Sequence, residues 1–136
     1  MGAESTGKST LTERMAAEFD TTFVREYGRD HYAEKNGVLD LDDYVTIARQ
    51  HRELEDSAAM MANRYLFVDT NAVTTMFFSH YYNRGSLPEL RQLADACVDR
   101  YSHVFVCDDD IPFEQDGWRD NEVWRGRMQG MVLHEA

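Results

Sequence analysis

Apolar and polar positions divide the chain into alternating segments of helical and strand-like period. From Ser9 to Phe19, Leu11, Met15 and Phe19 recur at i, i+4 and i+8, the spacing of one helix face. Thr21 to Tyr27 is β-branched and aromatic, which reads as a short strand ended by Gly28. Residues 41–63 carry the clearest helix. There Tyr44, Ile47, Ala48, His51, Leu54, Ala58 and Met61 repeat at three and four, and polar residues fill the other face. Asp40, Asp42 and Asp43 stand at its start, where negative charge complements the helix dipole. Tyr65-Leu66-Phe67-Val68 is a continuous apolar run stopped by Asp69, the habit of a strand covered on both faces. A helix is predicted over Ala72 to Tyr82. Ser86 to Glu89 has the form of a capping box with Pro88 in the first turn, opening a helix through Leu90, Leu93, Ala94, Cys97 and Val98. His103 to Asp108 reads as a third buried strand, residues 109–120 as a polar loop, and residues 121–136 as a helix weakened by Gly126 and Gly130. Strands alternating with helices predict an α/β domain with a parallel sheet.

A length of 136 residues suits one domain with a modest core. The formal net charge of −11 argues against non-specific binding to nucleic acid or anionic lipid, which needs clustered Lys and Arg. Cys97 and Cys107 sit in apolar company and are expected to be free thiols, in keeping with a reducing compartment. No apolar run approaches the roughly 20 residues of a membrane span, and no signal peptide precedes the first motif. A soluble, cytoplasmic protein is the expectation. The histidines show no metal-ligand spacing, so a structural zinc site is not expected.

Gly2-Ala3-Glu4-Ser5-Thr6-Gly7-Lys8-Ser9 changes the picture, because it spells G-x-x-x-x-G-K-[ST]. The glycines let the backbone curl so that successive N–H groups converge on one anion. Lys8 adds a point charge for the β- and γ-phosphates, and the Ser9 hydroxyl is a ligand for Mg²⁺. Ser5, Thr6 and Thr10 belong to the same phosphate-binding stretch. The helix that should follow the motif is present in the pattern. The strand that should precede it is reduced to Met1.

Ligands of open parallel sheets bind beyond the carboxyl ends of the strands. The residues there are Glu26-Tyr27, Asp69-Thr70 and Asp108-Asp109. A carboxylate in that position holds Mg²⁺ or orients the attacking hydroxyl. Otherwise Asp69 caps the next helix, and Asp108-Asp109-Asp110 forms a solvated turn. The segment from Pro112 to Asp120 has the makings of a lid. Gly117 is its hinge, Arg119 its cation for the transferring phosphoryl group, and Arg125 or Arg127 lies behind. Tyr27 and Trp118 are candidates to stack on a substrate ring. The absence of an N-K-x-D segment counts against a GTPase. Asp69-Thr70 in place of Asp-Glu removes the usual water-activating glutamate of an ATPase motor. Acids for a substrate hydroxyl together with a basic lid favour a small-molecule kinase.

Four segments then carry a resemblance over nearly the whole chain. These are Gly2 to Leu11, Arg25-Glu26-Tyr27-Gly28-Arg29-Asp30, Phe67-Val68-Asp69-Thr70 with Val73-Thr74-Thr75, and Asp116-Gly117-Trp118-Arg119-Asp120. In order and spacing they resemble the ribosylnicotinamide kinase domain of NadR-type proteins, a P-loop NTPase-type α/β fold with helices on both faces of a parallel sheet. The resemblance implies ATP-dependent phosphorylation of the ribose 5′-hydroxyl of nicotinamide riboside. It implies that Gly7, Lys8, Ser9 and Thr10 bind phosphates and Mg²⁺, that Glu26, Tyr27 and Asp69 line the riboside pocket, and that Arg119 sits in the lid. Which of Glu26 and Asp69 accepts the hydroxyl proton stays open, with Asp69 favoured for metal and substrate orientation. Set against that family, residues 1–136 form a single partial domain without the first strand or the final strand and helix. An adenylyltransferase domain is a candidate fused or associated partner. A non-catalytic nucleotide-binding fragment and a kinase of another nucleoside or small metabolite are the alternative readings.

Overall fold

The computed structural model describes residues 1–3, 5–113 and 122–135. The described chain runs α1 (Lys8–Glu18), β1 (Phe23–Val24), α2 (Gly28–Glu34), α3 (Leu41–Ala59), β2 (Phe67–Val68), α4 (Ala72–Asn83), α5 (Pro88–Asp95) and α6 (Glu122–Glu135). It is a mixed α/β fold whose sheet, among the described residues, is a parallel pair of β1 and β2 with Phe23 opposite Phe67 and Val24 opposite Val68. Helix α1 packs on both strands and α3 packs on β1, while α3, α4 and α5 pack on one another. The core lies in that helical layer, around Tyr44, Val45, Ala48, Met76, Leu90 and Ala94.

The third expected strand is not formed. Residues 103–108 are extended but belong to no sheet. Among the described residues their backbone hydrogen bonds to other backbone run to Met1, whose amine donates to the Phe105 carbonyl at 2.6 Å and whose carbonyl accepts the Cys107 N–H at 2.8 Å. A strand needs a neighbouring backbone along its length, and here one residue supplies it. The apolar run is correspondingly open, with Phe105 65% exposed. The predicted stripe of α1 is also half open: Leu11 and Phe19 are 44% and 43% exposed, and Ala16 is the buried residue of the helix. Phe19 makes its contacts edge-on to Tyr65 and tilted against Phe67, with ring centroids 5.2 and 5.8 Å apart.

Two helix starts differ from the sequence pattern. Helix α2 begins at Gly28, where the composition reads as a strand end. The Ser86–Glu89 capping box is not made: Leu87 is the N-cap of α5 without a side-chain cap, and Pro88 occupies the first turn. Glu89 pairs instead with Arg49 of α3, and the Ser86 hydroxyl meets His80 Nε2 at 3.1 Å. Tertiary partners outcompete the local cap. The capping box that does form opens α3. Asp40 accepts the Asp43 N–H at 3.0 Å, and Asp43 accepts the Asp40 N–H at 2.9 Å.

Asp43 also ties α2 to α3, at 2.8 Å from His31 Nε2 and 3.1 Å from Lys35 Nζ. Burial opposes its charge, but the Asp40 N–H, His31 and Lys35 together hold its carboxyl well below the ordinary carboxylate range. A depressed carboxyl stabilises the fold above its unfolded value, and that stabilisation disappears as pH falls through the folded one. Asp43→Asn is therefore expected to lower stability at neutral pH by about 2 kcal/mol, from a damaged cap and a buried His31 without its acceptor. Urea unfolding should also show the loss of stability below about pH 4 becoming shallower in the variant than in the parent.

Candidate active site at the phosphate loop

Residues 2, 3 and 5–9 lead into the start of α1, three of them through backbone conformations that favour glycine. Gly2, Ser5 and Gly7 have φ of 143°, 57° and 77°. A Cβ at Gly2 would stand 2.7 Å from the Cys107 carbonyl oxygen and 2.9 Å from Thr6 Oγ1, so no side chain fits there. The Thr6 hydroxyl and Lys8 Nζ both donate to the Ala3 carbonyl, at 2.9 and 2.5 Å. Lys8 is thus folded over the loop it serves.

Ser9, the second residue of α1, donates to Asp69 Oδ2 at 2.5 Å. Asp69 follows β2, whose pairing with β1 is continued by the Asp69 N–H on the Val24 carbonyl at 2.9 Å. It does not cap the next helix. That role belongs to Asn71, which accepts the N–H groups of Val73 and Thr74. Asp69 is 3% exposed, and its Oδ1 has no hydrogen-bond partner among the described residues. A buried carboxylate oxygen without a partner is costly, and a hard cation would satisfy it. Ser9 and Asp69 therefore fit Mg²⁺. No cluster of three or more His, Cys, Asp or Glu surrounds them among the described residues, so the remaining ligands would come from phosphate and water.

A cavity of about 450 Å³ opens beside the loop. Gly2, Ser5, Thr6, Gly7, Lys8, Ser9 and Thr10 form one side of it, and Glu26 lies on its wall. Burial pushes the Lys8 ammonium down, opposed by Glu26 and Asp69. Burial likewise pushes the Glu26 carboxyl up, opposed by Lys8. The three groups feel one another's charge. Glu26 is also paired with Arg29 at 3.5 Å.

Several expected residues lie elsewhere. Tyr27 precedes α2 and faces His31, ring centroids 6.1 Å apart, and is not part of the cavity lining. Asp108 is exposed and caps its neighbour, accepting the Asp109 N–H at 2.9 Å, so the solvated-turn reading holds there. Glu4, Trp118 and Arg119 fall outside the described residues. Arg125 is buried and does not line the cavity; its Nη2 donates to the carbonyls of Ile111 at 2.6 Å and Ser5 at 3.3 Å.

The other walls come from helices whose pattern signalled only packing. Tyr32, Tyr44, Phe78 and Tyr82 give the cavity an aromatic character, and His51, Thr70 and Thr74 give it polar atoms. His51 Nε2 donates to the Asp69 carbonyl at 3.2 Å, and its Nδ1 faces Glu55 at 2.9 Å. Burial works against the charge of Glu55, but hydrogen bonds from His51, Tyr101 and Arg100 hold its carboxyl below the ordinary value. The i, i+4 spacing of His51 and Glu55 was visible in the sequence; their position under the strand tip was not. Thr70, next in the chain, has φ of 63°, a strained conformation for a β-branched residue. Thr74 is 3% exposed, and its hydroxyl has no partner among the described residues.

Comparison with known proteins agrees with this geometry. A family model described as an AAA domain matches residues 1–134. The trifunctional NAD biosynthesis/regulator protein NadR of Escherichia coli (strain K12) is 37% identical over 139 aligned residues, which cover 98% of this chain and 33% of that protein. The NadR protein of Salmonella typhimurium (strain LT2) is similar to the same extent. The chain thus spans about a third of the length of these curated relatives. With a phosphate loop, a strand-tip carboxylate on its serine and this likeness throughout, the chain belongs to the AAA domain family of P-loop nucleotide-binding proteins and is related to NadR.

Proposed function

We propose that this chain transfers the γ-phosphoryl group of ATP to the ribose 5′-hydroxyl of nicotinamide riboside, yielding nicotinamide mononucleotide. The observation that carries the reading is the hydrogen bond that ties Ser9, in the wall of a cavity also lined by Lys8 and Glu26, to Asp69, which lies just behind that lining. The role in NAD biosynthesis that the relatives' names state supports the choice of acceptor. In this reading the loop amides and Lys8 hold the β- and γ-phosphates, and Ser9 and Asp69 hold Mg²⁺. The cation, when bound, neutralises charge on the phosphates. Asp69 is committed to Ser9, so the division of labour favours Glu26 as the acid that orients the acceptor hydroxyl and takes its proton. A carboxyl raised by burial is the stronger base once ionised. Aromatic walls and a nearby carboxylate suit a pyridinium ring. Arg119, and stacking by Trp118 or Tyr27, remain part of the proposal for the closed state. An adenylyltransferase domain, fused or associated, is proposed as a partner of the full protein, in keeping with relatives about three times the length of this chain. No described helix is long and apolar enough to cross a membrane.

Lys8→Ala is expected to cut the rate of ATP-dependent riboside consumption by about 100-fold or more. Activity that survives this change removes the loop from the mechanism. Glu26→Gln should lower kcat by about 10²- to 10⁴-fold. In the parent enzyme, activity should fall as the pH drops through a value above the ordinary carboxylate range, because protonated Glu26 accepts nothing. The residual activity of the glutamine variant should lack that acid limb. Thr74→Val, nearly isosteric, tests the acceptor wall. It should raise KM for the riboside by about tenfold, leave KM for ATP unchanged, and not lower stability, since it removes an unsatisfied buried hydroxyl.

A further inference from the structure

Helix α6 meets the phosphate loop through two side chains that do not line the cavity. Arg125 and Gln129 are spaced i, i+4, hence on one helix face, and are 6% and 4% exposed. Gln129 uses both halves of its amide. Its Oε1 accepts the Ala3 N–H at 2.9 Å, and its Nε2 donates to the Cys107 carbonyl at 2.8 Å. The orientation follows from the partners, because an N–H can bond only the oxygen and a carbonyl only the nitrogen. The amide therefore bridges the start of the loop to the extended 105–107 segment, beside the single backbone bridge that Met1 makes.

Arg125 does the same one turn earlier, joining the Ser5 carbonyl to that of Ile111. Ser5 is the non-glycine residue of the loop with a left-handed backbone, a conformation that persists only where surrounding contacts hold it. Ile111 itself packs over the loop, with Cδ1 3.5 Å from where a Gly7 Cβ would stand. The Ala3 peptide is consequently held on both sides, by Gln129 at its N–H and by Thr6 and Lys8 at the carbonyl of Ala3.

We infer that α6 is a positioning element of the nucleotide site, in which Gln129 and Arg125 fix the backbone groups of the phosphate loop that do not face phosphate, so that the others do. The arrangement recasts Arg125 from a cation for the transferring group into a brace on the loop. It also joins the loop mechanically to residues 107 and 111, which lead into the 112–120 segment. The inference rests on nucleotide binding by the loop, not on the identity of the acceptor.

Gln129→Leu in the full chain tests it. Hydrogen exchange followed by NMR should show the Ala3 amide exchanging at least tenfold faster, with the amides of α3 unchanged. Calorimetry should show the affinity for Mg-ATP falling about tenfold or more. Fast Ala3 exchange with unchanged ATP affinity would overturn the inference, as would loss of protection throughout α3 in step with loss of binding. Should Gln129→Leu fail to fold, Arg125→Lys is read by Mg-ATP affinity and by the exchange of the α3 amides, because lysine keeps the charge but cannot span the Ser5 and Ile111 carbonyls. Weaker ATP binding with α3 intact supports the brace, and unchanged binding rejects it. A parent chain that binds Mg-ATP but does not phosphorylate the riboside would defeat the acceptor assignment alone. A parent chain that binds no Mg-ATP would defeat both.

Discussion

A phosphate loop is a stretch of backbone whose N–H groups must be left pointing at an anion, and everything else about this structure follows from holding it so. Amides that point at a ligand cannot pair with each other, so the loop has no secondary structure of its own to keep its shape. The shape is imposed from outside. Gly2 fits because nothing but hydrogen can lie against the Cys107 carbonyl. The Ala3 carbonyl gathers Thr6 and Lys8, and the Ser9 hydroxyl is fixed on Asp69. Side chains from α6 take two more backbone groups, the Ala3 N–H and the Ser5 carbonyl.

The charges at the site form a second layer of the same constraint. Lys8 loses hydration inside the crevice and Glu26 does too, and each limits the other's shift. Burial works against both charges; their mutual attraction works to keep them. In the proposed function the lysine side takes a highly anionic ligand and the glutamate side a hydroxyl-bearing, positively charged or neutral one. This balance is consistent with the partly aromatic cavity between the two.

Helix α3 connects the fold to that chemistry. Its first turn is locked by the reciprocal Asp40–Asp43 cap and anchored to α2 through His31. Its middle supplies Tyr44, Val45 and Ala48 to the core. One turn beyond the core, His51 reaches the Asp69 carbonyl, and Glu55 gathers Tyr101 and Arg100 behind it. A single helix therefore carries stability at one end and strand-tip geometry toward the other, while the sheet contributes just two short paired strands.

The sequence by itself determined the phosphate loop, strands β1 and β2, the helices other than α2, the acid after each of those strands and the family resemblance. These depend on residues close together in the chain, where period, glycine placement and side-chain type are directly readable. The tertiary structure decided the rest. It left residues 103–108 out of the sheet for want of a neighbouring backbone and gave the Ser86–Glu89 segment partners better than its own cap. It also committed Asp69 to Ser9 while Asn71 capped α4. His51 and Gln129 read as ordinary helix positions along the chain, Thr74 only as part of a segment that carries the resemblance and Arg125 as a cation behind the lid, because a helix pattern records which face is buried and not what that face meets. Their partners lie 18 residues away for His51, 120 for the Arg125–Ser5 contact and 126 for the Gln129–Ala3 contact, distances over which no local periodicity carries information.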